Sequence, residues 1–145
     1  MTTGDVIRVG QIEIRFRLQG AQTGGNVAMF DYRIPVGARV PVAHSHEAFD
    51  ETLYGLAGIT DVTLDGRKTE LGPDDVLFIP RGHVHQVENA GRADARGLSV
   101  LTPGLLGPGF FHEIAQILAA GGPPDVRRVE DVMRHHGMRP AHQPN

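Results

Sequence analysis

Hydrophobic and polar positions alternate along the first three quarters of the chain. From Ile12 to Leu18 the alternation is strict, with Ile12, Ile14, Phe16 and Leu18 on one face and Glu13, Arg15 and Arg17 on the other. A period of two marks a half-buried strand. Thr23-Gly-Gly-Asn26 turns the chain into a second strand, Val27 to Ile34, which Pro35 ends. Phe30 and Tyr32 share one face of that strand with Ala28 and Ile34, the pattern of ordinary core packing or of a lined interior. Ile59 to Leu64 and Arg67 to Leu71 flank Asp65-Gly66, the strongest short hairpin signal in the sequence. Gly72-Pro-Asp-Asp75 is a further turn before a compact apolar strand, Val76 to Ile79. Val84 to Asn89 and Ala93 to Leu101 follow, with Gly91 between them. Many short strands at regular turns predict an antiparallel sandwich or barrel of the jelly-roll kind.

The period changes after Pro108. Phe110, Ile114, Ile117 and Leu118 recur at helical spacing, and Gly121-Gly-Pro-Pro124 stops the helix. A second helix is predicted from an Asp125 cap to Gly137, with Val126, Val129, Val132 and Met133 on its apolar face. Two short amphipathic helices cannot bury their faces alone, so they must pack on the barrel or on a second subunit. The expected organisation is therefore mostly β, a barrel over residues 1–107 and a helical extension over residues 108–145, with Ala141 to Asn145 as a tail.

Composition narrows the chemistry. A length of 145 residues fits one domain. The chain has no cysteine and no tryptophan but eight histidines. Without cysteine there are no disulfides, thiolate zinc sites or cysteine nucleophiles. A formal charge of −3 offers no attraction to nucleic acid or to a membrane surface. The residues following Met1 lack the basic stretch and apolar run of a signal peptide. The charge-free stretch Gly97 to Phe111 is broken by Pro103 and Pro108 and is too short for a membrane span. A soluble, cytoplasmic protein is expected.

The histidines are not scattered. His44-Ser-His46 and His83-Val-His85 are both pairs two residues apart, so in extended chain each pair presents both rings to one side. The Asp65-Gly66 hairpin lies between the pairs, so neighbouring strands can bring them together. Glu51 follows His46 by five residues, the wrong parity for an unbroken strand; a bulge or short loop is needed to bring its carboxylate to the same ion. By chemistry alone the candidate ligands are His44, His46, His83, His85 and one of Glu47, Asp50 or Glu51.

These residues carry a family resemblance. His44-x-His46-x4-Glu51-x6-Gly58 resembles the first motif of the cupin superfamily, and Pro80-x-Gly82-x2-His85-x3-Asn89 resembles the second. The first motif's opening glycine, Gly37, lies one residue further upstream than usual, and Asp74 stands where the second motif usually has glycine. The Phe110-Phe111 helix and the Gly-Gly-Pro-Pro break are similar to the ending of small single-domain bacterial cupins described as quercetinase-like. The resemblance implies a cupin jelly-roll β-barrel with a short two-helix extension. It also implies metal ligation by His44, His46, Glu51 and His85, and leaves His83 on a variable position, as a support to a ligand, a lining residue of the cavity mouth, or an exposed strand-end histidine.

Three imidazoles and a carboxylate suit one divalent first-row metal such as Mn, Fe, Ni, Cu or Zn. A six-coordinate ion would keep two positions for water, substrate or dioxygen. The resemblance implies a mononuclear dioxygenase-type enzyme acting on an aromatic or enol small molecule, with Glu51 as ligand or as base. The alternatives are a lyase or isomerase on the same metal and a non-catalytic cupin that binds a small ligand. His112 is expected on a helix surface, and His135 and His136 complement the end of the second helix. His142 falls in the tail. Phe110 and Phe111 are expected as core or interface anchors, and Tyr54 as a residue within reach of the pocket. A homodimer is expected by resemblance, the strand Ile12 to Leu18 and the C-terminal helices offering surfaces to bury.

Overall fold

The computed structural model describes residues 4–141. The strands are β1 (Val6–Val9), β2 (Ile12–Leu18), β3 (Ala28–Ile34), β4 (Ala43–His46), β5 (Asp50–Ala57), β6 (Thr60–Leu64), β7 (Arg67–Leu71), β8 (Val76–Ile79), β9 (His85–Glu88) and β10 (Ala95–Thr102). Two helices, α1 (Pro108–Leu118) and α2 (Val126–His135), precede a last strand, β11 (Met138–Ala141). The first sheet runs β1-β2-β3-β10-β5-β8 and the second β11-β4-β9-β6-β7. Both are antiparallel throughout, and they face each other as a jelly-roll sandwich whose hydrogen bonds do not close into one barrel. No described helix is long and apolar enough to cross a membrane.

Alternation decides what goes inside. Ile12, Ile14 and Phe16 are buried, as are Ala28, Phe30, Tyr32 and Ile34 on β3. Asp65 and Gly66 both adopt positive φ, 51° and 81°, which is what a two-residue hairpin of matching twist demands. That turn sets Leu64 opposite Arg67 and the rest of the β6–β7 register.

Several elements differ from the sequence expectation. The strand β5 was not legible because its inward side is Glu51, Leu53 and Gly55, which does not read as an apolar face. The strand β8 is an edge: Ile79 is buried, but Val76 and Phe78 face outward at 60% and 53% exposure. The tail begins later than expected, since Ala141 belongs to β11, which pairs with β4; residues 142–145, and His142 with them, lie outside the described residues. Asp125 caps α2 by accepting from the Arg128 N–H, and Val129 and Met133 are buried, but Val126 is exposed. The helices pack on the sandwich, α1 against β1 and α2 against β11. Phe111 meets Phe16 and Phe30 at ring distances of 5.8 and 5.1 Å. The apolar face of β2 and the inner faces of both helices are thus covered within the chain, so the surfaces that suggested a dimer are already occupied.

Candidate metal centre

The site lies between the two sheets. His44 and His46 project from β4, a strand buried at all four positions because β11 covers its outer edge. His44 stands directly across from His85 of β9 in the ladder. The rings of His44, His46 and His85 lie 4.7 to 5.2 Å apart between centroids. Their donor nitrogens lie within 4.8 Å of one another, and among the described residues this is the cluster that could hold a metal ion. The chain crosses to the other sheet through residues 47–49, the short loop that the parity of Glu51 required. Glu51 then points inward from β5, with Oε1 3.5 Å from His85 Nε2. It does not belong to the cluster of three, but borders it at His85.

Backbone carbonyls orient two of the rings. His44 Nδ1 donates to the Val42 carbonyl at 2.9 Å and His85 Nδ1 to the His83 carbonyl at 3.1 Å. A ring protonated on Nδ1 keeps its lone pair on Nε2, free for a metal. His46 is held differently, stacked on Phe49 with centroids 4.3 Å apart, and its Nδ1 is buried without a hydrogen-bond partner. Such an orphaned nitrogen costs about 1–3 kcal/mol where nothing outside the chain satisfies it. Burial pushes His44 down to about 3, helped by the neighbouring charges of His85 and His46. Burial likewise pushes His46 down to about 4. Burial by itself raises Glu51, but contact with His85, the charge of His46 and the Ser99 hydroxyl outweigh it, and the carboxyl lies below its ordinary range. Neutral imidazoles beside an ionised, buried carboxylate fit a divalent metal, whose charge would compensate the carboxylate.

Ser99 escaped the sequence reading. It is fully buried on β10 and donates its hydroxyl to Glu51 Oε2 at 2.5 Å. The available signal was parity: Ser99 shares the inward face of its strand with Ala95, Gly97 and Leu101. The other candidates are engaged elsewhere. Glu47 pairs with Arg139 at 2.9 Å, and Asp50 accepts from the Arg81 N–H at 2.8 Å and from its guanidinium. His83 is half exposed and pairs with Asp65 at 2.5 Å, while Asp65 also accepts from the Val84 N–H. His83 therefore touches the site through its backbone carbonyl. Tyr54 points away from the interior and donates to Asp74 at 2.6 Å, so it does not reach the pocket. His112 and His135 are exposed, and His136 pairs with Glu113 of α1.

A cavity of about 110 Å³ opens on the three histidines and Glu51. Its walls are apolar, with Ile14, Phe30 and Leu53 from the sandwich and Phe110, Ile114 and Met133 from the helices. No lysine or arginine lines it among the described residues. Tyr32 reaches its wall with the hydroxyl paired to Thr60 at 2.9 Å, and burial pushes that phenol up to about 12.

Comparison with known proteins agrees with this geometry. The cupin domain family matches residues 30–101. Quercetin 2,3-dioxygenase of Bacillus subtilis is 33% identical over 114 residues, which cover 77% of this chain and 32% of that protein. Tetracenomycin polyketide synthase protein TcmJ of Streptomyces glaucescens is 32% identical over 85 residues, covering 57% of each. This chain thus spans about a third to somewhat over half the length of these two relatives. Among solved structures, a predicted oxalate decarboxylase of Thermotoga maritima superposes with a TM-score of 0.60 at 26% identity, over 63% of this chain and 80% of that one. The paired motifs, the two facing sheets and the buried histidines between them place this chain in the cupin superfamily.

Proposed function

We propose that the chain is a mononuclear metal-dependent cupin enzyme of the dioxygenase type, acting on an aromatic or enol small molecule. The ion would be one divalent transition metal (Fe, Mn, Ni, Cu or Zn), held by His44, His46, Glu51 and His85. The observation that carries the reading is the buried histidine cluster at the floor of an apolar cavity, with two rings turned by backbone carbonyls. A divalent ion there would supply a Lewis acid with open positions for small molecules.

The chain's own residues do the rest. The apolar walls take up a flat, poorly hydrated substrate and exclude water, which strengthens electrostatic interactions inside. Glu51 is the carboxylate that borders the cavity and, being ionised, is placed to accept a proton from an enol or phenol. No lysine or arginine among the described residues lines the walls, so a small dianion such as oxalate would meet no charge partner among them beyond the ion. This supports an oxygenase over a decarboxylase, in line with the similarity to quercetin 2,3-dioxygenase. A lyase or isomerase on the same ion, and a ligand-binding cupin without catalysis, are the competing outcomes.

One experiment separates them. The purified protein is analysed for metal and followed for O₂ uptake with flavonols, catechols and diketones. Metal with substrate-dependent O₂ uptake is the expected result. Metal with turnover that consumes no O₂ would favour a lyase or isomerase, and a folded protein that takes up no metal would leave the binding role. A homodimer is part of the proposal. Among the described residues, Leu56, Val76 and Phe78 are exposed apolar side chains grouped on the outer side of β5 and β8, and they form the surface we assign to it.

A further inference from the structure

Ser99 is a hydroxyl in an otherwise apolar row. The other inward positions of β10 are Ala95, Gly97 and Leu101, and Ser99 is completely buried among them. A buried hydroxyl is stable only with a partner, and this one donates to Glu51 Oε2 at 2.5 Å. Glu51 itself stands opposite Leu101 on β10 and Ile79 on β8, so Ser99 reaches it on the diagonal from two residues along the strand. The other carboxylate oxygen, Oε1, lies 3.5 Å from His85 Nε2. A glutamate carboxylate rotates broadly about its last torsion and has two equivalent oxygens. A hydrogen bond that engages one of the two oxygens restricts that freedom.

We propose that Ser99 is a positioning residue for Glu51: its hydroxyl occupies Oε2 and turns Oε1 toward the histidine cluster. The proposal rests on the reading of this cluster as a metal centre. Residues that orient metal ligands in this way typically change metal affinity 10–100-fold when removed.

The test is titration of the metal-free protein with Co²⁺, followed by visible absorption and by competition with a chromophoric chelator. Ser99→Ala is expected to raise the Kd for Co²⁺ by about tenfold or more. Ser99→Thr keeps the hydroxyl and is expected to stay near the unmodified protein, whereas Ser99→Val, of the same size, is expected to behave like Ser99→Ala. In a Glu51→Ala background, Ser99→Ala is expected to change nothing further. Thermal melts of the metal-free variants report whether each one folds, and the Thr and Val pair carries the test if Ser99→Ala does not. An unchanged Kd in Ser99→Ala, an equal loss in the Thr and Val variants, or the same loss without Glu51 would each overturn the proposal. If the unmodified protein takes up no Co²⁺, the metal-centre reading itself fails, and that outcome is distinct from these.

Discussion

At the scale of single residues, burial decides which protonation state the site holds. His44 and His46 titrate at about 3 and about 4 in the fold, against 6.5 when exposed. Between these values the unfolded chain binds more protons than the folded one, so stability rises with pH across that window. The metal-free protein is therefore expected to be most stable above pH 6.5, and to lose melting temperature as the pH falls from 6.5 toward 4. Glu51, also lowered from its ordinary 4.5, extends the loss to lower pH. Two extra protons on the unfolded chain correspond to at most about 2.7 kcal/mol per pH unit. Melting curves at a series of pH values check this, and a flat profile would contradict the buried neutral rings. His85→Ala removes the ring that faces both His44 and Glu51, and elemental analysis should find the variant without bound metal. Gly97 shows how tightly the interior is shaped, since a Cβ there would sit 2.2 Å from the Tyr32 hydroxyl. Gly97→Ala is expected to cost about 1–3 kcal/mol in urea denaturation. The histidine pairs and Glu51 were legible from spacing and resemblance. Ser99 was not, because a serine declares a role only when its partner on another strand is known.

Individual elements were legible in proportion to how regular their exposed and buried faces are. The strand β2 has one fully apolar side and one fully charged side, and its burial follows that pattern. Asp65-Gly66 specifies its own hairpin through backbone conformation alone, and Asp125 caps α2 as its position suggested. The strand β5 hides because function occupies its inward face at Glu51 and a glycine follows at position 55. The strand β11 hides because four residues containing a proline carry no strand signal of their own. Its partner is the reason it exists, since Met138 lies opposite His46 and Pro140 opposite His44. Deleting residues 138–145 should uncover the edge of β4 and remove the buried Met138. The expected result is a melting temperature lower by about 10 °C, with weakened metal retention, measured by calorimetry and elemental analysis.

For the whole molecule, the sheet order sets what can meet. His44, His46 and His85 come from neighbouring strands of one sheet, while Glu51 and Ser99 come from neighbouring strands of the other. The centre exists only where the sheets face each other, and α1 and α2 add apolar walls to the cavity above it. The outer side of the first sheet leaves Val76, Phe78 and Leu56 exposed, against the edge strand β8. Phe78→Lys is expected to shift the proposed dimer to a monomer in light scattering without altering metal content; an unmodified protein that is already monomeric would refute the dimer. The sequence by itself determined the strand periodicity, the hairpin at Asp65-Gly66, the two helices and the nitrogen and oxygen character of any metal site. Those are local properties, set by side-chain period, backbone conformation and residue type. Only the tertiary structure decided that Glu51 stands against His85, that Ser99 donates to it, that His83 contributes only a carbonyl, and that the C-terminal strand covers β4. Each of these depends on which distant strand lies alongside, and the short-range pattern of a chain does not encode that separation.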